Sequence, residues 1–194
     1  MRRLIVSMNV TLDGFMSGAN CELDWHFSSW TNEMADFLYE QLSRADTILL
    51  GRITHNAMAT YWTAKAQDVC FAREDIAFAN LMNNYQKLVF SRTRAISHWS
   101  NSRLLTGEPP NEVLKLKQEA GKDIIIYGSG KIVNCLAKSG LVDEYQLWIH
   151  PVLLGRGKPL FRNLENECRM KLFKTRTFSS GVVTLFYRKY ESGQ

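Results

Sequence analysis

Ile124-Ile125-Ile126-Tyr127 is a β-branched and aromatic run that passes without a break into Gly128-Ser129-Gly130-Lys131. Ile132, Val133, Leu136 and Ala137 then fall on one face of a short helix. Gly140 stands where a left-handed helix cap is wanted, and Glu144 to His150 reads as a second strand closed by Pro151. The stretch is a strand–helix–strand unit with glycines at its first turn. Such a turn brings bare backbone N–H groups to a helix N-terminus, a favourable place for a phosphate.

The glycines alone do not name a ligand. Val133 occupies the position of the third glycine in a dinucleotide fingerprint. Ile132 stands where a P-loop carries its magnesium-binding Ser or Thr, and Ile125 where it carries its first glycine. A phosphate cradle and a turn that only lets a helix pack close to a sheet both remain open here.

A chain of 194 residues, 45% hydrophobic and 22% charged, fits one α/β domain over 1–194 with a sizeable core. Its apolar runs fall far short of the ~20 residues of a membrane helix, and no signal-peptide pattern follows Met1-Arg2-Arg3. A cytoplasmic protein is expected. Cys21, Cys70, Cys135 and Cys168 are scattered, with no histidine at ligand spacing, so no metal is expected. The net charge of +5 comes from 24 Lys and Arg dispersed among 19 acidic residues. That pattern favours small anionic ligands over nucleic acid.

Leu4 to Thr11 alternates as a strand and ends in Leu12-Asp13-Gly14, where Asp13 either serves a turn or faces a pocket. Trp25, His26, Phe27 and Trp30 crowd the irregular stretch that follows, as a lid or as a stacking wall. Thr31 is a candidate cap for a helix with Met34, Phe37, Leu38 and Leu42 inward. Thr47 to Leu50 is a short central strand ending in Gly51-Arg52-Ile53-Thr54, with a helix expected over Asn56 to Trp62 and Thr54 as its cap. Phe78, Leu81, Met82 and Tyr85 have helical spacing. The strand Lys87 to Phe90 ends in Ser91-Arg92-Thr93-Arg94. Three strand ends thus carry Gly, Ser, Thr or Arg, and together they favour a phosphate-bearing ligand along one sheet edge.

Arg103 to Thr106 suggests another short strand, Pro109-Pro110 a rigid connection, and Glu112 to Ala120 a helix with Val113, Leu116 and Ala120 inward. Beyond Pro151, Gly155 to Pro159 is a basic loop, and Lys171 to Phe178 with Val182 to Tyr190 is an antiparallel hairpin.

In this order the motifs resemble a known family. Thr11-Leu12-Asp13-Gly14, Leu50-Gly51-Arg52-Ile53-Thr54, Ser91-Arg92, Tyr127-Gly128-Ser129-Gly130 and Gly140-Leu141-Val142-Asp143-Glu144 are similar to elements of dihydrofolate-reductase-like proteins. Within that fold they resemble the reductase domain of the bifunctional riboflavin-biosynthesis deaminase/reductase, in a stand-alone form. The resemblance implies a mostly parallel sheet flanked by helices, a C-terminal hairpin, and NADPH as cofactor. It implies that Gly51, Arg52 and Thr54 meet phosphates, that Ser91 and Arg92 lie toward the adenosine 2′-phosphate, and that Gly128, Ser129, Gly130 and Lys131 hold the pyrophosphate. Asp13 would act catalytically beside the substrate, with Trp25 and Phe27 as further substrate contacts.

Two departures narrow what is implied. Neither H-x-E nor P-C-x-x-C occurs, so the deaminase chemistry is not expected. The carboxylate of dihydrofolate reductases is replaced by Trp30, which argues against ordinary folate reduction. The expected activity is therefore NADPH-dependent reduction of a small pterin- or pyrimidine-like heterocycle at a CH–OH or CH–NH group. The alternatives are 5-amino-6-(5-phosphoribosylamino)uracil reduction and non-catalytic NADPH binding. A homodimer is expected from the resemblance and from the apolar strand Tyr145 to Ile149, whose edge the C-terminal hairpin could instead cover.

Overall fold

The strand-like alternation at the N-terminus becomes β1 (Leu4–Thr11), in which Leu4, Val6, Met8 and Val10 face one apolar layer and Ile5 faces another. In this computed structural model, residues 1–65, 73–93, 96–164 and 166–190 are described. After β1 come β2 (Phe15–Ser17), a 3-10 turn (Asp24–Ser29), α1 (Asn32–Ser43), β3 (Ala45–Gly51) and α2 (Arg52–Lys65). The middle of the chain forms α3 (Arg73–Asn84), β4 (Gln86–Phe90), β5 (Ser102–Leu105), α4 (Pro109–Gln118) and β6 (Asp123–Ile126). It closes with α5 (Gly130–Lys138), β7 (Glu144–His150), β8 (Lys158–Pro159), β9 (Met170–Thr177) and β10 (Val183–Lys189).

An eight-stranded sheet has the order β5-β4-β3-β6-β1-β7-β10-β9. From β5 to β7 every pairing is parallel, and β10 pairs antiparallel with both β7 and β9. The fold is α/β, with a mostly parallel central sheet and a C-terminal antiparallel hairpin. Val113 and Leu116 of α4 and Ile132, Val133 and Leu136 of α5 pack on one face against Leu4, Val6, Ile124 and Ile126. Leu42, Ala59, Phe78 and Met82, from α1, α2 and α3, pack on the other against Ile5, Ile48, Leu50 and Ile125. Because both faces are covered there, β3 and β6 are apolar on both sides at Ile48 to Leu50 and Ile124 to Ile126, whereas β1 keeps Ser7, Asn9 and Thr11 on the face of Ile5.

Helix starts depart from the sequence expectation. No separate cap precedes α2: Gly51 ends β3 and Arg52 is the first helical residue, so Thr54 sits within the first turn instead of capping it. Thr31 has the extended backbone of a cap before α1 but makes no side-chain cap bond, and its Oγ1 is buried without a partner among the described residues. Pro109 and Pro110 open α4 rather than linking to it, since proline is favourable where a helix N–H needs no partner. The chain turns extended at Glu119, which leaves Ala120 exposed instead of inward. Phe78, Leu81 and Met82 do lie on α3, whereas residues 66–72 and Arg94 are outside the described residues.

The hairpin covers the edge of β7 that would otherwise be open, leaving β9 as the sheet edge. Ser179, at the turn between β9 and β10, donates through its N–H and its hydroxyl to Glu33 Oε1, each at 2.6 Å. Glu33 therefore ties α1 to the hairpin. Among the described residues, no helix is long and apolar enough to cross a membrane.

Candidate active site

Parallel pairing delivers the ends of β1, β3, β4, β6 and β7 to one edge of the sheet. On that edge the turn from β3 to α2 meets the turn from β6 to α5. A Cβ placed on Gly51 would stand 2.6 Å from the Ser129 Cβ and 3.3 Å from Ile132 Cδ1. Gly128 has φ +117, and a Cβ there would lie 3.3 Å from the Thr54 methyl. The positive φ requires glycine, and the close approach requires that neither turn carry bulk. On the far side, the Met16 side chain sits against Gly130.

Two helix N-termini thus adjoin, and a helix N-terminus is the end at which backbone N–H groups favour an anion. Ser129 occupies the cap position of α5 without a side-chain cap bond, while Ile132 N and Val133 N both donate to the Ser129 carbonyl. Arg52 is half-buried at the start of α2, and Lys131 is exposed in the first turn of α5. Beyond β4, Ser91 Oγ donates to the Thr93 carbonyl at 2.5 Å and accepts from Thr93 N at 3.1 Å. That hydroxyl shapes its own loop, while Arg92 beside it is exposed.

Further along the edge, Gly14 turns the chain at φ +82 and Asp13 is exposed. Its carboxylate accepts from Thr11 Oγ1 at 2.5 Å, Gly155 N at 2.7 Å and Leu154 N at 3.3 Å. Those bonds, the Thr11 hydroxyl first, hold Asp13 below the usual aspartate range. Ionised, it accepts hydrogen bonds and has no proton to give. Its evident role is to fasten the loop after β7 to the turn after β1.

The aromatic residues gather beside it. Trp25 meets His150 edge-on with ring centroids 5.2 Å apart, and His26 lies tilted on Phe27 at 4.0 Å. Phe27 is 53% exposed, and its ring is 6.3 Å from Tyr61 of α2. Burial holds the His26 imidazole below its ordinary value against the opposing pull of the Leu23 carbonyl and Asp24. Burial and then the His26 charge push His150 down to about 4. Two open depressions, of about 390 and 420 Å³, lie at the opposite edge, beside Arg169 and Lys189 and beside Gln86 and Ser102. Neither gathers the strand-end residues.

The model of the RibD C-terminal domain matches residues 2–184. The chain belongs to the RibD C-terminal domain family. It is 40% identical over 187 residues to the uncharacterized protein YyaP of Bacillus subtilis (strain 168), covering 96% of this chain and 94% of that one. Among solved structures, it is similar to a protein of Shewanella sp. PV-4 provisionally assigned to riboflavin biosynthesis, with TM-score 0.77, 21% identity, and 97% and 99% of the two chains covered. Dihydrofolate reductase from Enterococcus faecalis, solved with NADP(H), aligns with TM-score 0.60 and 10% identity over 97% of each chain. At those identities the structures establish the shared fold.

Within this RibD C-terminal fold, Gly51, Arg52 and Thr54 and the segment Gly128 to Lys131 come together, with Ser91 and Arg92 on the same sheet edge. Asp13 and Trp25 lie at the β1–β7 part of that edge, while Phe27 stands between His26 and Tyr61 of α2. Sequence reasoning found no function for His150 and none at all in Asn9. A histidine as the last residue of an otherwise buried strand was the available signal. His55, also without an assigned role, is a satisfied core histidine bonded to Ser102 Oγ at 2.9 Å and Asn56 Oδ1 at 3.2 Å.

Proposed function

We propose that the protein is an NADPH-dependent reductase acting on a small heterocycle, pterin- or pyrimidine-like, at a CH–OH or CH–NH group. The observation that carries this reading is the apposition of the two glycine turns at Gly51 and Ser129, beside Arg52 and Lys131. Bare amides and cations at one place fit a pyrophosphate, and family membership supports a nicotinamide cofactor as its source.

Gly128, Ser129, Gly130 and Lys131 would hold the pyrophosphate together with Gly51, Arg52 and Thr54 of the facing turn, and Ser91 and Arg92 would meet the 2′-phosphate. Bound NADPH supplies the hydride. The chain's own share is orientation and exclusion of water. Asp13 keeps the 154–155 loop against the substrate side, while Trp25 and Phe27 wall the ring.

A narrower reading, reduction of 5-amino-6-(5-phosphoribosylamino)uracil, requires charge for a sugar phosphate. Arg156 and Lys158 lie on the loop that Asp13 anchors, and Lys158 Nζ already contacts Cys21 Sγ at 2.6 Å. We place the protein in the cytoplasm as a homodimer. The basic edge strand β9, with Lys171, Lys174 and Arg176, disfavours pairing with its own copy, so the apolar sheet face near Leu147 and Leu185 is the better candidate interface.

Titration with NADPH and NADH, followed by tryptophan fluorescence, tests the cofactor. Micromolar NADPH affinity with much weaker NADH binding is expected, and absence of binding to either overturns it. Saturable NADPH binding without oxidation across a panel of pterins and pyrimidines would identify a non-catalytic binder.

A further inference from the structure

His150, the last residue of β7, is completely buried at the ligand edge of the sheet. Its Nε2 lies 3.1 Å from Asn9 Oδ1. A carbonyl oxygen only accepts, so Nε2 carries the hydrogen and Nδ1 is left as a bare acceptor. That Nδ1 is buried and has no partner among the described residues. Trp25 stands against the same ring with interplanar angle 85°, and its Nε1–H is also buried and without a partner among the described residues. A lone donor and a lone acceptor in one aromatic cluster are costly to maintain unless something else completes them.

Core packing does not account for the pair, because buried His55 has both nitrogens bonded. Nor is His150 arranged as a proton donor: its one hydrogen faces Asn9. No residue of the 3-10 turn that carries Trp25 is fully buried, so the turn is held by the ring contacts of its half-buried Trp25 and His26 rather than by a core.

We propose that His150 Nδ1 and Trp25 Nε1 are the polar pair that reads the substrate ring, with Asn9 as the positioning residue that sets the imidazole tautomer. The pair is complementary to a planar ring bearing N–H beside a carbonyl. The ring N–H donates to Nδ1, the carbonyl accepts from the indole, and the 3-10 turn shifts to admit the ring. Phe27, 53% exposed and tilted on His26, borders the same turn. This rests on the reductase reading for the reaction that follows, but not for recognition itself.

The test compares uracil with 1,3-dimethyluracil, which keeps the ring and carbonyls but has no N–H. Binding is read by NMR with and without saturating NADPH. Wild type is expected to favour uracil by about ten-fold or more. His150→Phe and Trp25→Phe are each expected to reduce that preference, His150→Phe to near unity, with NADPH affinity retained. In wild type, ¹⁵N-histidine spectra are expected to show uracil shifting His150 Nδ1 upfield, a readout that needs no variant to fold. Equal binding of the two probes, binding of neither, or an unmoved Nδ1 overturns the proposal. Discrimination without NADPH binding would uphold this pair and reject the cofactor; NADPH binding without discrimination would do the reverse.

Discussion

Gly51 and Ser129, far apart in the chain, are so close that a methyl group on Gly51 would stand 2.6 Å from the Ser129 Cβ. Gly51→Ala must push the two turns apart. Overpacking of this kind costs about 1–3 kcal/mol. A chain of this size loses about 2–4 °C of melting temperature per kcal/mol. A thermal melt and an NADPH titration of the same variant should show both a lower midpoint and weaker binding. An unchanged midpoint would mean that the turns separate freely.

Arg92→Ala should weaken NADPH binding more than NADH binding, whereas Arg52→Ala, at the pyrophosphate common to both, should weaken both. A charge-assisted bond to a phosphate contributes about 1.5–3 kcal/mol, so the NADPH/NADH affinity ratio should fall by roughly ten- to a hundred-fold at the residue that meets the 2′-phosphate. Lysine at the same position should recover only part of the ratio, since it lacks the planar fork. If Arg92→Ala leaves the ratio unaltered, the placement of the 2′-phosphate is wrong.

Asp13→Ala removes the acceptor that Gly155 N reaches at 2.7 Å. Turnover should fall by at least about ten-fold while NADPH affinity stays near wild type, because the glycine turns are held by separate contacts. Asp13→Asn keeps one acceptor oxygen and should fall between the two. Steady-state kinetics with a reducible heterocycle, paired with a binding titration, distinguishes loop anchoring from cofactor binding.

Lys87 is fully buried at the C-terminal end of α3, where its Nζ donates to the carbonyls of Met82 at 2.9 Å and Asn83 at 2.7 Å. The Trp99 ring lies 4.5 Å away. Burial lowers the Lys87 ammonium to about 8. Between about pH 8 and 10 the unfolded chain then holds more protons at this site than the folded one, so stability rises with pH, by at most about 1.4 kcal/mol per pH unit. Tyr127 acts in the opposite sense above that window, since burial raises its phenol and the folded state keeps a proton that the unfolded state releases. Urea midpoints across this range should climb in wild type and lose that climb in Lys87→Met. A flat wild-type curve would show that the ammonium is not strained by burial.

Much of this was legible in the residues. Ile124 to Tyr127, the glycines after them and the apolar stripe of α5 specify strand, turn and helix by local preference and periodicity. Gly140 takes its expected left-handed conformation at φ +64. The ends of β1, β3 and β4 were readable for the same reason. Helix starts were less so, because Arg52 and Pro109 enter their helices directly, whereas a side-chain cap is only one way to satisfy a first turn.

The sequence determined which segments are strands and helices, where the glycines must turn, and that polar residues stand at several strand ends. Only the tertiary structure decided that β6 inserts between β3 and β1, which brings Ser129 to Gly51, and that β7 lies beside β1, which brings His150 to Asn9. Periodicity reports which face of an element is apolar, but not which element will cover it. The neighbours are chosen when crossovers bury both faces of the sheet at once, and that choice belongs to the whole chain rather than to any one stretch.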